Sequence, residues 1–332
     1  MNKIWSLLAA LVIVCGAGGC EKKSETRDAA KAAGPHKVSL ALNWFPEAEH
    51  GGYYAAEVEG YYKDAGLIVE IQPGGPEAPV LPRVASGQVD FGVSNADEVL
   101  MARAAGVDVV ALMAPLQISP RCILVHADSG IEKLEDLKNL TLAMSVRNAF
   151  GHYLQKKLPL EGVEIVPYAG NVAKFLTDKN YAQQAYNISE PFVVKEQGGA
   201  ARCLMVSDIG FNPYTSLLVT STKFLEENED AVAAMVRESV RGWGYYIVRS
   251  GRANNRIREL NPEMSQEILM FGVEQLKPMV LDPEAKEAGI GTMSLERWKM
   301  LNNQLVELGM IEKGSAKPKQ AFTTKYLPGK VF

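Results

Sequence analysis

Strand-like and helical segments alternate between residues 37 and 114, and this alternation restricts the fold more than any other feature of the sequence. Val38 to Leu42 and Leu67 to Gln72 have the pattern of buried strands, with a helical pattern between them. The strand patterns Val89 to Val93 and Val107 to Ala114 follow in the same way. Because parallel strands are joined by crossovers that are usually helices, the pattern predicts an α/β fold with a mostly parallel sheet.

A second series of strands and helices begins at Arg121, after the segment Pro115 to Pro120, and the chain becomes mainly helical from Glu229. The 332 residues are enough for two lobes with cores of their own. We expect the chain to cross between the lobes near Pro115 to Pro120 and to return near Asn212 to Thr220. This arrangement predicts two hinge strands and a ligand cleft between the lobes. Lobe 1 would combine residues 37–115 and 221–332, and lobe 2 would contain residues 116–220.

The N-terminus has the composition of an export signal. A short basic start precedes the apolar run Ile4 to Val14, and small residues directly precede Cys20. A cysteine at this point is similar to the bacterial lipoprotein signal, in which the thiol is acylated. We therefore expect residues 1–19 to be a signal peptide, Cys20 to be lipidated and residues 20–36 to be a flexible tether. A plain signal peptide with a chance cysteine is the alternative.

Composition excludes little, but it does bear on two points. The formal net charge is -4 and the body of the chain has no basic run, so nucleic-acid binding has no support. Beyond Cys15 and Cys20, the cysteines are Cys122 and Cys203. A disulfide between these two is possible outside the cytoplasm. Their spacing does not indicate proximity, so the expectation is two buried free thiols.

The loop that follows the first strand, from Leu42 to Tyr54, has an unusual content. It combines aromatic and polar side chains, namely Trp44, Phe45, Tyr53 and Tyr54 with Asn43, Glu47, Glu49 and His50. Aromatic faces with a few directional polar groups suit a small flat ligand, and open α/β sheets bind ligands at the carboxyl ends of their strands. A strand-to-helix turn with core aromatics explains the same residues, so both interpretations remain open here.

The usual enzyme motifs are absent from the sequence. It contains no phosphate loop, no dinucleotide-binding glycine motif after a strand and no Gly-x-Ser-x-Gly elbow. The four histidines are not spaced from one another or from cysteine as metal ligands would be. We therefore expect no catalytic residues, no metal and no cofactor.

Several motifs together resemble the family of receptors that bind pyrimidine precursors of thiamine for ABC importers. They are Asn43-Trp44-Phe45-Pro46, His50 to Ala56, Gly60 to Leu67, Val84 to Val93, Asp97 to Leu100, Glu190-Pro191 and Gly210 to Tyr214. The resemblance covers roughly Val38 to Gly244. It implies a two-lobed type II periplasmic binding protein without catalytic activity.

The resemblance also implies how a ligand would be held. Trp44 would stack on the ring, Asn43 would bond a ring heteroatom, and Glu190 would accept hydrogen bonds from the aminopyrimidine. Such bonds are charge-assisted if the ring is protonated. A carboxylate that favours a helix N-terminus is the alternative role of Glu190. The expected ligand-binding residues are Asn43, Trp44, His50, Tyr54, Tyr186 and Glu190, with Tyr186 as a second aromatic wall and His50 and Tyr54 at the mouth.

The expected partners follow from the same resemblance. They are a small-molecule ligand, an ABC transporter permease and a membrane reached through the lipid anchor; the protein would be exported and monomeric. The ligand could instead be a sulfonate, another aromatic compound or a flavin-like ring. A fungal pyrimidine-synthesis enzyme has a similar fold, but the resemblance there implies a cysteine-rich iron site. Only Cys122 and Cys203 would remain beyond the anchor, which disfavours an enzyme.

Overall fold

The computed structural model describes residues 35–76 and 79–330. The predicted signal peptide, the lipidation site Cys20 and the predicted tether as far as Gly34 lie outside the described residues. The first strand begins at His36, so the tether predicted over residues 20–36 overlaps this strand by one residue.

Two five-stranded sheets form the framework of the described chain. In chain order the strands are His36–Ala41 (β1), Leu67–Gln72 (β2), Phe91–Ser94 (β3), Val110–Met113 (β4), Arg121–His126 (β5), Thr141–Ala143 (β6), Glu164–Val166 (β7), Tyr181–Tyr186 (β8), Ala201–Met205 (β9) and Leu217–Thr220 (β10). The first sheet has the order β2-β1-β3-β10-β4, and the second has the order β7-β6-β8-β5-β9. Both sheets are mixed: β1 pairs in parallel with β2 and β3, whereas β10 is antiparallel to β3 and β4.

The strand β10 corrects one predicted boundary. The prediction placed residues 116–220 in lobe 2, but Leu217–Thr220 pairs with Phe91–Ser94 and Val110–Met113 in the first sheet. The chain therefore returns to lobe 1 before this strand. A short apolar strand that is buried on both faces reads the same in either sheet, so only its pairing partners decide where it belongs.

Helices cover the sheets and form most of the chain after β10. They are Gly51–Val58 (α1), Tyr61–Asp64 (α2), Val80–Ala85 (α3), Ala96–Ala104 (α4), Ala149–Lys157 (α5), Ala173–Thr177 (α6), Glu190–Glu196 (α7), Thr222–Glu227 (α8), Glu229–Tyr246 (α9), Gly251–Leu260 (α10), Gln266–Val280 (α11), Pro283–Ala288 (α12) and Leu295–Glu307 (α13). None of the helices in the described residues is long and apolar enough to cross a membrane.

The glycines at the start of α1 allow this helix to approach α9 closely. A Cβ on Gly52 would overlap the indole of Trp243, and one on Gly51 would overlap the ring of Tyr246. A Cβ on Gly242 of α9 would meet the carbonyl oxygen of Gly52. The close packing of these two helices fixes the position of the loop that precedes α1, and this loop carries three of the six predicted ligand-binding residues, Asn43, Trp44 and His50.

Two chain segments cross between the sheets, as the sequence predicts. They run from β4 to β5 and from β9 to β10, and they meet at one antiparallel bridge between Leu116 and Thr215. Arg297 of α13 joins them because its guanidinium donates hydrogen bonds to the carbonyl oxygens of Gln117 and Asn212. A single cation therefore ties both crossing segments to the C-terminal helices of lobe 1.

The lobes also touch at the turn between β8 and α7. Ile188 of this turn is buried in an apolar cluster made mainly of lobe 1 residues. A Cβ on Gly272 of α11 would lie 2.7 Å from Ala48 and 3.0 Å from the carbonyl oxygen of Ile188. Glycine at this position therefore lets α11 pack closely against both the loop after β1 and the turn of lobe 2 that contains Ile188.

The cysteines differ from the prediction of two free thiols. Cys122 and Cys203 form a disulfide, with their Cα atoms 5.4 Å apart. The reason is that β5 and β9 are antiparallel neighbours, in which Leu124 is opposite Cys203 and Cys122 is opposite Met205. The two cysteines therefore lie diagonally across adjacent strands, within the range that a disulfide spans. Their separation of 81 residues along the chain does not reveal this pairing.

Candidate functional site

The candidate site lies where segments from both lobes meet at the carboxyl ends of parallel strands. The loop with Asn43 follows β1, Asn95 follows β3, Ser145 follows β6, and Tyr186 ends β8. Carboxyl ends of parallel strands are the usual place for ligands in open α/β sheets, because no helix covers the sheet there. We call this region the cleft.

The lobe 1 loop contributes a buried group of polar side chains. The Nε2 atom of His50 lies 3.0 Å from Oδ1 of Asn43 and 3.2 Å from Oε1 of Glu49. Because a carboxylate only accepts hydrogen bonds, Nε2 carries the proton in this arrangement. His50 and Glu49 are almost completely buried. Among the described residues, Nδ1 of His50 and Oε2 of Glu49 have no hydrogen-bond partner, so both keep unused hydrogen-bonding capacity.

Carboxylates from both lobes come together in the cleft. Burial raises the pKa of Glu47 well above its ordinary value, and the neighbouring charges of Glu49 and Glu190 raise it further. Burial also raises the pKa of Glu190, although its hydrogen bonds oppose this rise. We call Glu47, Glu49 and Glu190 the acidic group. Negative charges held close together in a buried site favour a ligand that donates hydrogen bonds or carries positive charge.

Glu190 has a defined position at the start of α7. Its Oε2 atom accepts hydrogen bonds from the hydroxyl of Ser189 at 2.7 Å and from the N–H of Tyr186 at 3.0 Å. Its Oε1 atom accepts a longer bond, 3.3 Å, from the hydroxyl of Tyr168. One carboxylate oxygen is therefore held by two local donors, while the other has capacity for further bonds.

Tyr186 connects the acidic group to an arginine that sequence reasoning missed. Its hydroxyl accepts a hydrogen bond of 3.1 Å from Nη2 of Arg121. The guanidinium of Arg121 lies 4.9 Å from the ring centre of Tyr186 and 4.4 Å from that of Phe150. Two aromatic rings therefore hold this cation in a fixed orientation. Arg121 begins β5, directly after the segment that crosses from the first sheet to the second. This position is the feature of the sequence from which the residue could have been found.

A cavity lies beside this arginine, between the lobes. Its lining residues are Asn95, Asp97, Glu98, Met101, Ser119, Arg121, Asn148, Phe150, Tyr186, Val206, Phe211, Pro213 and Thr215. Of the six predicted ligand-binding residues, Tyr186 lines this cavity. The sequence does place Asn95 and Asp97 at a helix start near the cleft, but helix capping explains those residue types equally well.

The structure brings some of the predicted residues together and separates others. Trp44 is half-buried at the loop after β1, where its ring packs edge to face against Phe45 at 5.5 Å. Tyr54 is completely buried in the apolar core of lobe 1. Burial raises the pKa of Tyr54, and the charges nearest its hydroxyl belong to Glu57 and Arg256, which lie outside the acidic group. Tyr54 is therefore a core residue of lobe 1, and it supports the loop through its packing in that core.

The sequence of the chain also matches a known protein family. The chain matches the family described as NMT1/THI5 like over residues 47–251, which is more than half of its length. The chain belongs to the NMT1/THI5-like family. The resemblance that the motifs indicate is thus confirmed at the level of the family.

Relatives in this family differ in what their names say they do. The chain is 23% identical to the riboflavin-binding protein RibY of Chloroflexus aurantiacus, with 99% of each chain covered. It is 24% identical to the formylaminopyrimidine-binding protein of Halalkalibacterium halodurans, with 90% of this chain and 91% of that protein covered. It is 23% identical to a 4-amino-5-hydroxymethyl-2-methylpyrimidine phosphate synthase of Saccharomyces cerevisiae, over 70% and 73%. The family therefore includes binding proteins and synthases.

Solved structures confirm the predicted fold. The sulphonate-binding protein SsuA of Escherichia coli superposes with a TM-score of 0.65 at 16% identity, covering 86% of this chain and 92% of that one. The alkanesulfonate-binding protein SsuA of Xanthomonas axonopodis gives 0.64 at 15% identity, covering 88% and 99%. At these identities the likeness concerns the fold alone, which is the two-lobed periplasmic binding fold.

Proposed function

We propose that the protein is the extracytoplasmic receptor of an ABC importer and that its cleft captures an aminopyrimidine precursor of thiamine. The acidic group carries this proposal. The charges of Glu49 from lobe 1 and of Glu190 from lobe 2 both act on the buried Glu47, and Oε2 of Glu49 has no hydrogen-bond partner in the part of the chain that the structure describes. An aminopyrimidine offers an exocyclic amino group and a ring nitrogen that can be protonated, so its edge complements carboxylates.

The chemistry of the acidic group also argues against a sulfonate, the ligand class for which the SsuA proteins of this fold are named. A sulfonate needs hydrogen-bond donors or positive charge around its oxygen atoms. The carboxyl groups of the acidic group supply no positive charge, and an ionised carboxylate among them repels such an anion. In the proposed complex, Trp44 stacks on the ring and Asn43, oriented by His50, bonds a ring heteroatom.

Calorimetric titration of the purified protein tests the proposal directly. The ligands are 4-amino-5-hydroxymethyl-2-methylpyrimidine, its formylaminomethyl analogue, riboflavin and a short alkanesulfonate. We expect binding of an aminopyrimidine and no binding of the sulfonate. Binding of the sulfonate alone would contradict the proposal, as would a lack of binding by every aminopyrimidine.

A flavin is the second candidate ligand. The observation that favours it is the relative named as a riboflavin-binding protein, which covers 99% of this chain. The pyrimidine-like edge of a flavin contains carbonyl oxygens, which carboxylates do not attract, so the acidic group favours the aminopyrimidine. The same titration separates the candidates, because a flavin receptor would bind riboflavin in preference to both pyrimidines.

A binding role is also proposed over the synthase role of the fungal relatives. The sequence has two cysteines beyond Cys20, and these pair with each other as Cys122 and Cys203. They are therefore not free thiols for a cysteine-rich iron site. Purified protein should lack the absorbance of bound pyridoxal phosphate near neutral pH; a chromophore of that kind would favour the synthase.

Lipid anchoring through Cys20 completes the proposal. The disulfide supports export, because such bonds persist outside the cytoplasm. Expression of Cys20→Ser in a bacterial host should move the protein from the membrane fraction to the soluble fraction, whereas Cys203→Ser should leave it with the membrane. Continued membrane association of Cys20→Ser would refute the anchor. We further propose that the anchored receptor is a monomer and delivers its ligand to a permease.

A further inference from the structure

We infer that the cleft contains a second subsite, made by Asp97 and Arg121, which binds a neutral polar substituent of the ligand. The substituent carries both a hydrogen-bond donor and an acceptor, as a formamide or a hydroxyl group does. This inference rests on the proposed function, because it concerns the group attached to the ring that the acidic group holds.

Asp97 has unused hydrogen-bonding capacity. Asp97 is 9% exposed and lines the cavity at the start of α4. Its Oδ1 atom has no hydrogen-bond partner among the described residues. Its neighbour Glu98 differs, because Oε2 of Glu98 accepts bonds from the hydroxyl of Ser94 at 2.7 Å and from the N–H of Asn95 at 3.2 Å. Asp97 is therefore the carboxylate left for a ligand, since a buried acceptor without a partner is unfavourable.

Arg121 has a fixed orientation beside the same cavity. Its guanidinium is held between Phe150 and Tyr186, and within the described chain its side chain makes one hydrogen bond, to the Tyr186 hydroxyl. A guanidinium has five N–H donors, so most of them remain for other acceptors. Arg121 and Asp97 line the same cavity, and the charge of Arg121 acts on the Asp97 carboxyl.

The charges of the subsite favour a neutral substituent. The pair offers one carboxylate and one guanidinium, so a cationic substituent would be opposed by Arg121, and an anionic one would be opposed by Asp97 and Glu98. A neutral group satisfies both partners at once. Its N–H or O–H donates to Oδ1 of Asp97, and its oxygen accepts from Arg121.

Tyr186 connects the subsite to the acidic group. The backbone N–H of Tyr186 donates to Glu190, while its hydroxyl accepts from Arg121. The charges of Glu49 and Asp97 both act on this hydroxyl. Tyr186 therefore lies between the place for the ring and the place for the substituent. A ligand that has both parts spans this residue.

The experiment compares two ligands that differ only in the substituent. Calorimetry measures the affinity of 4-amino-2,5-dimethylpyrimidine and of the same ring with a formylaminomethyl group at position 5. For the unmodified protein we expect the formylated compound to bind at least about tenfold more tightly. In Arg121→Met and in Asp97→Asn this advantage should fall to about threefold or less, because the affinity for the formylated compound falls more than the affinity for the dimethyl compound.

The control and the contrary outcomes are defined by the same comparison. Arg241→Met is the matched control, because the guanidinium of Arg241 also lies over an aromatic ring, Tyr61, but on the surface of α9. A preserved advantage in Arg121→Met and Asp97→Asn would overturn the subsite, as would an equal loss for both compounds. If neither compound binds the unmodified protein, the proposed function fails and the subsite fails with it.

Discussion

Replacement of Glu190 by glutamine separates a ligand-binding role from a structural role at the start of α7. In the wild-type protein, Ser189 and Tyr186 both donate to Oε2 of Glu190. In the variant, the single amide oxygen of glutamine takes this position because both neighbours are donors. Its NH₂ group then points to the side where the carboxylate presents Oε1, and it faces the donors of the aminopyrimidine.

The size of the effect follows from the bonds that are lost. A hydrogen bond to a charged group contributes about 1.5–3 kcal/mol, and the variant replaces an acceptor by a donor at this point. We expect a loss of about 2–3 kcal/mol, which corresponds to a Kd that is roughly 30- to 150-fold higher. The matched control is Glu196→Gln on the same helix, whose side chain is exposed; its Kd should not change.

Stability gives the second readout of this variant. Burial raises the pKa of Glu190 above its ordinary value, so its contribution to stability is present at low pH and is lost as the pH rises through the raised pKa. Glutamine does not ionise, and at pH 7.5 the ligand-free variant should be at least as stable as the wild type in thermal unfolding. An unchanged Kd together with a lower Tm would refute the ligand-binding role and favour the interaction with the helix dipole.

Three further predictions concern other parts of the chain. Trp44→Ala should weaken aminopyrimidine binding by about 1–3 kcal/mol in calorimetry, because the ring loses its stacking partner; an unchanged affinity would place the ring elsewhere. Reduction of the Cys122–Cys203 disulfide should lower the free energy of unfolding by about 2–5 kcal/mol in urea titration, and equal stability of both forms would contradict this. Burial raises the pKa of Asp97 from 3.8 to about 7, so the stability of the ligand-free protein should fall as the pH rises between these values. Asp97→Asn should reduce this fall by up to about 4 kcal/mol, and identical pH profiles for the two proteins would contradict the assignment.

Local sequence pattern was enough to predict most elements of the fold. The strand Leu67–Gln72 has the predicted bounds, and the second series of strands begins at Arg121, as predicted. Strand patterns of this kind depend on apolar residues that are close in sequence, so a single chain reveals them. The helical pattern predicted between the first two strands is instead two helices, α1 and α2, because Gly60 adopts a left-handed conformation with φ of 78° between them.

The candidate site was predicted only in part. Asn43, His50 and Glu190 lie around the cleft, where His50 is buried and the other two are half-buried, and each belongs to a motif that is contiguous in sequence. Tyr54 has the same aromatic character as a ligand-stacking residue but lies in the core, since its helix faces α9. Arg121 belongs to no motif, and its importance comes from the rings that surround it.

The sequence by itself determined the alternation of strands and helices, the aromatic and acidic loop and the family. These properties depend on neighbouring residues, whose spacing is visible in the chain. The tertiary structure alone decided that Leu217–Thr220 joins the first sheet and that Cys122 meets Cys203. It also decided that Glu47 and Glu190 meet across the cleft. Each of these facts is a contact between residues far apart in the chain. Such contacts are set by the order of the strands in the sheets, which no local sequence pattern reveals.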